Sequence, residues 1–232
     1  MRSRRDGFTL VELMVVVGII SILAAIAIPN FIRFQAKSKQ SEPRTNLKAV
    51  FTGQRSRFGE RDRYSTLIAE IGFSPERGNR YFYDLGPVAG GFGNCGAAPG
   101  LLEPRGGTTI SAGSYQGCEA DTLRYGSAYA TAALLTGMAT GSGAVTWNLS
   151  GSSATAIPTD QVGYDLANCP QCDFAACALG NVDSDLAADQ WYIGSQFSVL
   201  AANACAEATP TGLQEPSGQP VNSKSDVNCS VP

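Results

Sequence analysis

Residues 7–31 read GFTLVELMVVVGIISILAAIAIPNF, and the fold follows from how this stretch is read. From Phe8 to Ile28 the only charge is Glu12. A helix of that length, at ~1.5 Å per residue, spans the ~30 Å hydrocarbon core of a bilayer. Arg2, Arg4 and Arg5 precede the run, so the positive-inside rule places Met1 in the cytoplasm and the rest of the chain across the membrane, in an oxidising space. The competing reading is an ordinary secretory signal cleaved at Ala25-Ile26-Ala27. Against it, the run exceeds the ~7 to 15 apolar residues of a signal core, and Glu12 would cost roughly 2.5 to 3.5 kcal/mol at a bilayer centre. A carboxylate in that setting calls for a partner.

Past Pro29, apolar residues recur at Phe31, Ile32, Ala36, Leu47, Val50, Phe51 and Phe58. The spacing of three and four predicts an amphipathic helix on which Leu47, Phe51 and Phe58 share a face. Residues 8–61 therefore read as one long helix, apolar all round over 8–28 and one-sided over 30–61. Pro29 and Pro43 each predict a kink or local melting. Gly18 marks either a weak point or a close approach for another helix.

Charge divides the chain. Residues 30–63 carry nine Lys/Arg against three Asp/Glu, whereas residues 64–232 carry five against fifteen, giving a basic stem and an acidic head. Beside an apolar span, the basic stretch reads as juxtamembrane or helix-packing before it reads as a nucleic-acid patch. The 232 residues, 44% hydrophobic, suffice for one sizeable domain. They include no histidine, which excludes Ser-His-Asp and Cys-His catalysis and imidazole metal ligands and argues against an enzyme.

The expected fold class is α+β: a long N-terminal helix, packed at its C-terminal half against a small antiparallel sheet head with long disulfide-stapled loops. The head spans 62–232. Its strand candidates are Arg80–Leu85, Ala144–Leu149 and Gln190–Ile193, rich in aromatic or β-branched residues and bounded by turn formers. Ser127–Met138 reads as a short helix or strand pair, and the Gly/Ala/Ser-rich stretches 86–117 and 137–155 as surface loops. No internal repeat is present.

The run Gly7-Phe8-Thr9-Leu10-Val11-Glu12, followed by Leu13 to Ile28, Pro29 and Asn30-Phe31, resembles the N-terminus of type IV pilins. Residues 34–42 (FQAKSKQSE), 45–48 (TNLK) and 71–81 (IGFSPERGNRY) resemble the major pilins of myxobacteria. The resemblance implies that residues 1–7 are a leader cut after Gly7 by a prepilin peptidase, that Phe8 is then N-methylated, that Glu12 is the assembly glutamate, and that Pro29 marks where the helix loosens in filaments. Ser21, where many members have glycine, and Pro43, where close relatives look helical, depart from the pattern. The implied protein is a structural pilus subunit without a cofactor. It would polymerise into a helical homo-oligomer for twitching or surface motility and adhesion, after residing in the inner membrane and meeting the pilus assembly machinery there. A minor pilin or a type II secretion pseudopilin shares the N-terminus. The residues give the same picture a reason: a helix apolar all round leaves lipid only if identical helices replace the lipid.

Pairing the seven cysteines by proximity suggests Cys95 with Cys118, Cys169 with Cys172, and Cys205 with Cys229, the last as a C-terminal disulfide does in many pilins; Cys177 is left over. Cys169-Pro170-Gln171-Cys172 also has the C-x-x-C form of a thiol oxidoreductase, which would make the chain a membrane-anchored periplasmic redox module. Asn181, Asp183, Asp185 and Asp189 set oxygen ligands near one another as calcium loops do, or else form a solvated acidic turn before a strand. The sixth and twelfth positions, Leu186 and Tyr192, exclude a regular EF-hand.

Overall fold

The computed structural model describes residues 7–76, 79–87, 91–94, 103–104, 118–120, 145–147, 157, 161–180, 182, 189–200 and 214–225. Two compact units divide between Lys39 and Gln40.

The first unit holds helix α1, Leu10–Lys39. Its start lies two residues later than expected, because Thr9 takes the cap position and leaves Phe8 outside the helix. Polar side chains within α1 close onto its own backbone: Ser21 Oγ donates to the Val17 carbonyl (2.7 Å) and Asn30 Nδ2 to that of Ile26 (3.2 Å). The helical backbone continues through Pro29.

The second unit begins at Gln40, a turn residue, followed by α2, Ser41–Arg61. Pro43 is the third residue of α2, where its missing N–H has no helical partner to lose. A proline ring is incompatible with a helical carbonyl four residues back, here that of Lys39, and the helix is interrupted at Gln40, the local melting that Pro43 predicts falling in the turn before it. Asp62 ends α2 in the left-handed region (φ 54°), its N–H returning to the Phe58 carbonyl at 2.9 Å.

Among the described residues, eleven strands form two sheets. They are β1 (Tyr81–Asp84), β2 (Gly91–Asn94), β3 (Glu103–Pro104), β4 (Cys118–Ala120), β5 (Val145–Trp147), β6 (Gln161–Tyr164), β7 (Phe174–Gly180), β8 (Asp189–Gly194), β9 (Ser198–Leu200), β10 (Gln214–Glu215) and β11 (Val221–Lys224). The larger sheet runs β11-β8-β7-β1-β4-β3, with β6 also on β7 and β2 on β6; the smaller runs β10-β9-β5. Every pair is antiparallel except β3 with β4. The three strand candidates are β1, β5 and β8. Ser127–Met138 lies outside the described residues.

The stretch 86–117, read as loop, contains β2 and β3. Glycine explains the miss at β2: Gly91 (φ 92°) pairs opposite Tyr164, and a side chain on Gly163 (φ 128°) would strike the Gly91 carbonyl. Only backbone fits there.

Helix α2 packs on β7 and β8 and buries Pro43, Leu47, Val50 and Gln54. Phe51 and Phe58 flank this stripe, joined to Tyr64, Tyr164 and Phe174 in one cluster with ring centroids 4.7 to 5.9 Å apart. Fully buried, as Phe174 is, such a ring contributes roughly 1.5 to 3 kcal/mol by leaving water. Between the sheets, Phe82, Val145, Trp147, Val162, Tyr192 and Val221 belong to the main core.

Candidate functional site

In the N-terminal segment the Gly7–Phe8 peptide and the start of α1 lie within six residues. Gly7, Phe8 and Thr9 are non-helical and exposed, so the Gly7–Phe8 peptide lies in open chain, the form a protease can bind. Nothing lies within 4 Å of the position a Gly7 side chain would take. The α1 start is closed by reciprocal bonds. Glu12 accepts from the Thr9 backbone N–H (2.8 Å) and hydroxyl (2.7 Å), and Thr9 Oγ1 accepts from the Glu12 N–H (3.3 Å). This is a capping box, Thr at the cap and Glu three residues on, with the carboxylate at the positive end of the helix dipole. The signal was in the sequence as Thr9-x-x-Glu12, and reading Glu12 only as an intramembrane charge missed it.

Beyond the cap, every large apolar side chain from Leu10 to Phe34 is at least half exposed in the isolated chain. Residues 10–61 contain a helix long and apolar enough to cross a membrane, close to the N-terminus. Such a surface requires lipid or other helices around it.

In the second unit, one carboxylate organises the head. Asp189, fully buried at the start of β8, accepts four donors: Gln40 Nε2 (3.0 Å) and Asn222 Nδ2 (2.9 Å) on Oδ1, and Trp191 Nε1 (2.6 Å) and the Tyr81 hydroxyl on Oδ2. Burial first, and then the Asp189 charge, pushes the Tyr81 phenol far above its ordinary value, so it stays protonated and donates. Of the four residues read as a calcium set, Asp189 is the one described, and its carboxylate is engaged by these side-chain donors. Asn181, Asp183 and Asp185 lie outside the described residues. The sequence showed an aspartate opening an aromatic strand, but nothing linked it to Gln40, Tyr81 or Asn222, which stand far away in the chain.

Cys169 and Cys172 form a disulfide in the turn between β6 and β7. Cys172 is buried beside Tyr64, Tyr164 and Phe174, and the segment after it is a strand, where a thiol oxidoreductase needs a helix start to activate its sulfur. The bond staples the turn between β6 and β7 to the aromatic cluster. Cys177 is disulfide-bonded too, so it is not the leftover sulfur. Its register on β7 opposite Asp84, with Cys118 opposite Asp84 from the other side, separates these two cysteines by about two strand spacings of ~4.8 Å, beyond the ~7 Å limit for a disulfide. Cys177 therefore takes a partner other than Cys118. Cys95, Cys205 and Cys229 lie outside the described residues.

Residues 34–189 match the family described as type IV pilin PilA, and residues 2–28 match the prokaryotic N-terminal methylation motif. The chain is similar to the type IV major pilin protein PilA of Myxococcus xanthus, 43% identical over 228 residues that cover 97% of this chain and 94% of that protein. It also resembles the type IV major fimbrial protein FimA of Dichelobacter nodosus, 58% identical over 41 residues, 18% of this chain and 26% of that protein.

Proposed function

The chain belongs to the type IV pilin family, and from that premise we propose that residues 1–7 are a leader removed between Gly7 and Phe8, that Phe8 is N-methylated, and that Glu12 directs assembly. The protein is a structural subunit of a type IV pilus, with a membrane-held precursor processed by a prepilin peptidase and an extracellular filament as its product. In this reading, residues 8–61 supply the stem and residues 62–232 the exposed head. Before assembly the subunit waits in the inner membrane and is handed on by the pilus assembly machinery there. Surface motility and adhesion follow from retraction of the filament and from contacts made by the head.

One observation carries the reading. The apolar side chains of α1 are exposed in the isolated chain, directly after a capped helix start and an open Gly7–Phe8 junction. Lipid covers such a surface before assembly, and copies of the same helix cover it afterwards. Mass spectrometry of sheared surface filaments tests this. The expected subunit begins at N-methyl-Phe8, and filaments built from a chain that retains Met1 to Gly7 would overturn the processing site. The major subunit, and not a minor pilin or pseudopilin, is favoured by similarity along nearly the whole length to a major pilin.

A further inference from the structure

One stripe along the exposed face of α2 carries positive charge. Arg44, Lys48 and Arg55 stand at i, i+4 and i+11, one stripe of a helix, and all three are exposed. Beside them the outward positions are small: Ser41, Thr45, Ala49, Thr52, Ser56 and Gly59. The helix's own acids are placed elsewhere. Glu42 is half-buried and accepts from the Arg80 and Tyr81 N–H groups, and Glu60 lies off the stripe, towards the other edge of the exposed arc. Arg44 stacks on the Trp191 ring at 4.7 Å and Arg55 interacts with Tyr64, so two of the cations are held in place while exposed. Residues 64–232, by contrast, carry fifteen Asp/Glu against five Lys/Arg. Among the described residues Glu70 and Glu76 are exposed, the former paired with Arg57, and Asp165, Asp173 and Glu215 are half-exposed, Asp165 accepting from Ala167 and Asn168 and Asp173 from Ser195 and Gln196.

We propose that this face of α2 seats the acidic head surface of a second copy of the chain in the filament. The inference rests on the filament reading above and adds where head meets stem. A basic helix face on one copy and an acidic head on the next make a heterologous contact, which does not close and so propagates as a helix. The apolar α1 surface attracts copies without fixing their relative position, because apolar contact is non-directional. Complementary charge supplies the missing register and rejects misplaced subunits, and the small residues beside the stripe let the incoming surface approach. Each exposed pair contributes little alone, but the contact recurs at every subunit.

The test uses the full-length chain expressed in cells lacking their own pilin. Lys48→Glu with Arg55→Glu should give cleaved subunit at wild-type level but about tenfold fewer sheared filaments, as expected when exposed attractions become repulsions. Lys48→Gln with Arg55→Gln should fall between the two. Sheared wild-type filaments should shed subunits faster in about 1 M salt, where the screening length falls to ~3 Å. Wild-type cells without filaments would overturn the pilus reading itself. Normal filament yield from both variants, with salt-indifferent wild-type filaments, would overturn only the interface. So would normal yield accompanied by lost binding to an anionic polymer or to anionic lipid vesicles, which would assign the face to an outside partner. If the charge-reversed subunit is degraded, the neutral variant decides by the same yields.

Discussion

Asp189 shows what one residue can hold together. Its carboxylate ties Gln40 at the entrance to α2, Tyr81 on β1, Trp191 on β8 and Asn222 on β11. Removing it takes the acceptor from Tyr81, Trp191 and Asn222 and one of two from Gln40 Nε2, which also donates to the Ser225 hydroxyl, and each buried unmatched polar group costs about 1 to 3 kcal/mol. With partial relaxation, Asp189→Ala is expected to destabilise the head by about 3 kcal/mol or more, measured by urea denaturation of the detergent-held full-length chain followed through tryptophan fluorescence. A loss under about 0.5 kcal/mol would show that the donors find other acceptors. The same site sets an alkaline limit. The folded phenol of Tyr81 is raised above its unfolded value, so the folded state holds its proton more tightly. Its stabilising contribution is complete below about pH 10 and is lost as pH rises beyond it, by up to ~1.4 kcal/mol per pH unit. Burial raises Tyr64 and Tyr164 in the same direction. Urea midpoints should therefore hold between about pH 7 and 9 and fall above about 10, and Tyr81→Phe should flatten that fall. At this scale the sequence was uneven. Thr9 and Glu12 lie three apart and could be read as a cap, whereas the Asp189 cluster joins residues up to 182 positions apart and left no local pattern.

Helices and strands with strong local signals were the legible ones. α1 is a continuous apolar run, α2 has a three-and-four pattern, and β1, β5 and β8 are aromatic or β-branched. β7 is the instructive miss. Phe174–Gly180 is FAACALG, built largely of small residues, and it is buried at every position with strands on both sides. It therefore shows neither the alternation nor the bulk by which a strand is recognised. The break at Gln40 was half legible: Pro43 announced a disturbance, but its ring acts on the turn before it. Glycines in α2 give opposite expectations from one rule. In an exposed helix, Gly→Ala stabilises by about 0.5 to 1 kcal/mol. Gly59 has nothing within 4 Å of its missing side chain, while a side chain at Gly53 would strike the Ile71 carbonyl of the 3-10 turn Ile68–Ile71. Gly59→Ala should raise the thermal midpoint of the full-length chain and Gly53→Ala should lower it, despite equal helix propensity. Two shifts of the same sign would mean that the Ile68–Ile71 turn yields at little cost.

For the whole molecule, function lies in what the single chain leaves unsatisfied. The exposed α1 surface was evident from hydropathy alone, because residues 10–28 are apolar on every side of the helix with Glu12 as their one charge. The role of Glu12 is where structure changes the argument. In the isolated subunit its carboxylate is occupied by Thr9, so loss of Glu12 removes both a helix cap, worth about 1 kcal/mol, and a charge. Cleavage after Gly7 would create an ammonium at Phe8, about one helical turn from Glu12, in a segment with no other charge. Each subunit would then bring one positive and one negative group into an apolar filament interior, where an unpaired charge costs several kcal/mol. Pairing Glu12 of one subunit with the ammonium of its neighbour satisfies both groups and fixes the axial position of the incoming helix. Two substitutions separate cap from charge. Glu12→Ala loses both, while Glu12→Gln keeps an acceptor for Thr9 and loses only the charge. Both variants are expected to insert and to be cut after Gly7, as read by immunoblot of the mature form, and both are expected to yield few or no sheared filaments. If Glu12→Gln restores wild-type filament yield while Glu12→Ala does not, the cap is what assembly needs, and charge pairing between subunits is the wrong mechanism.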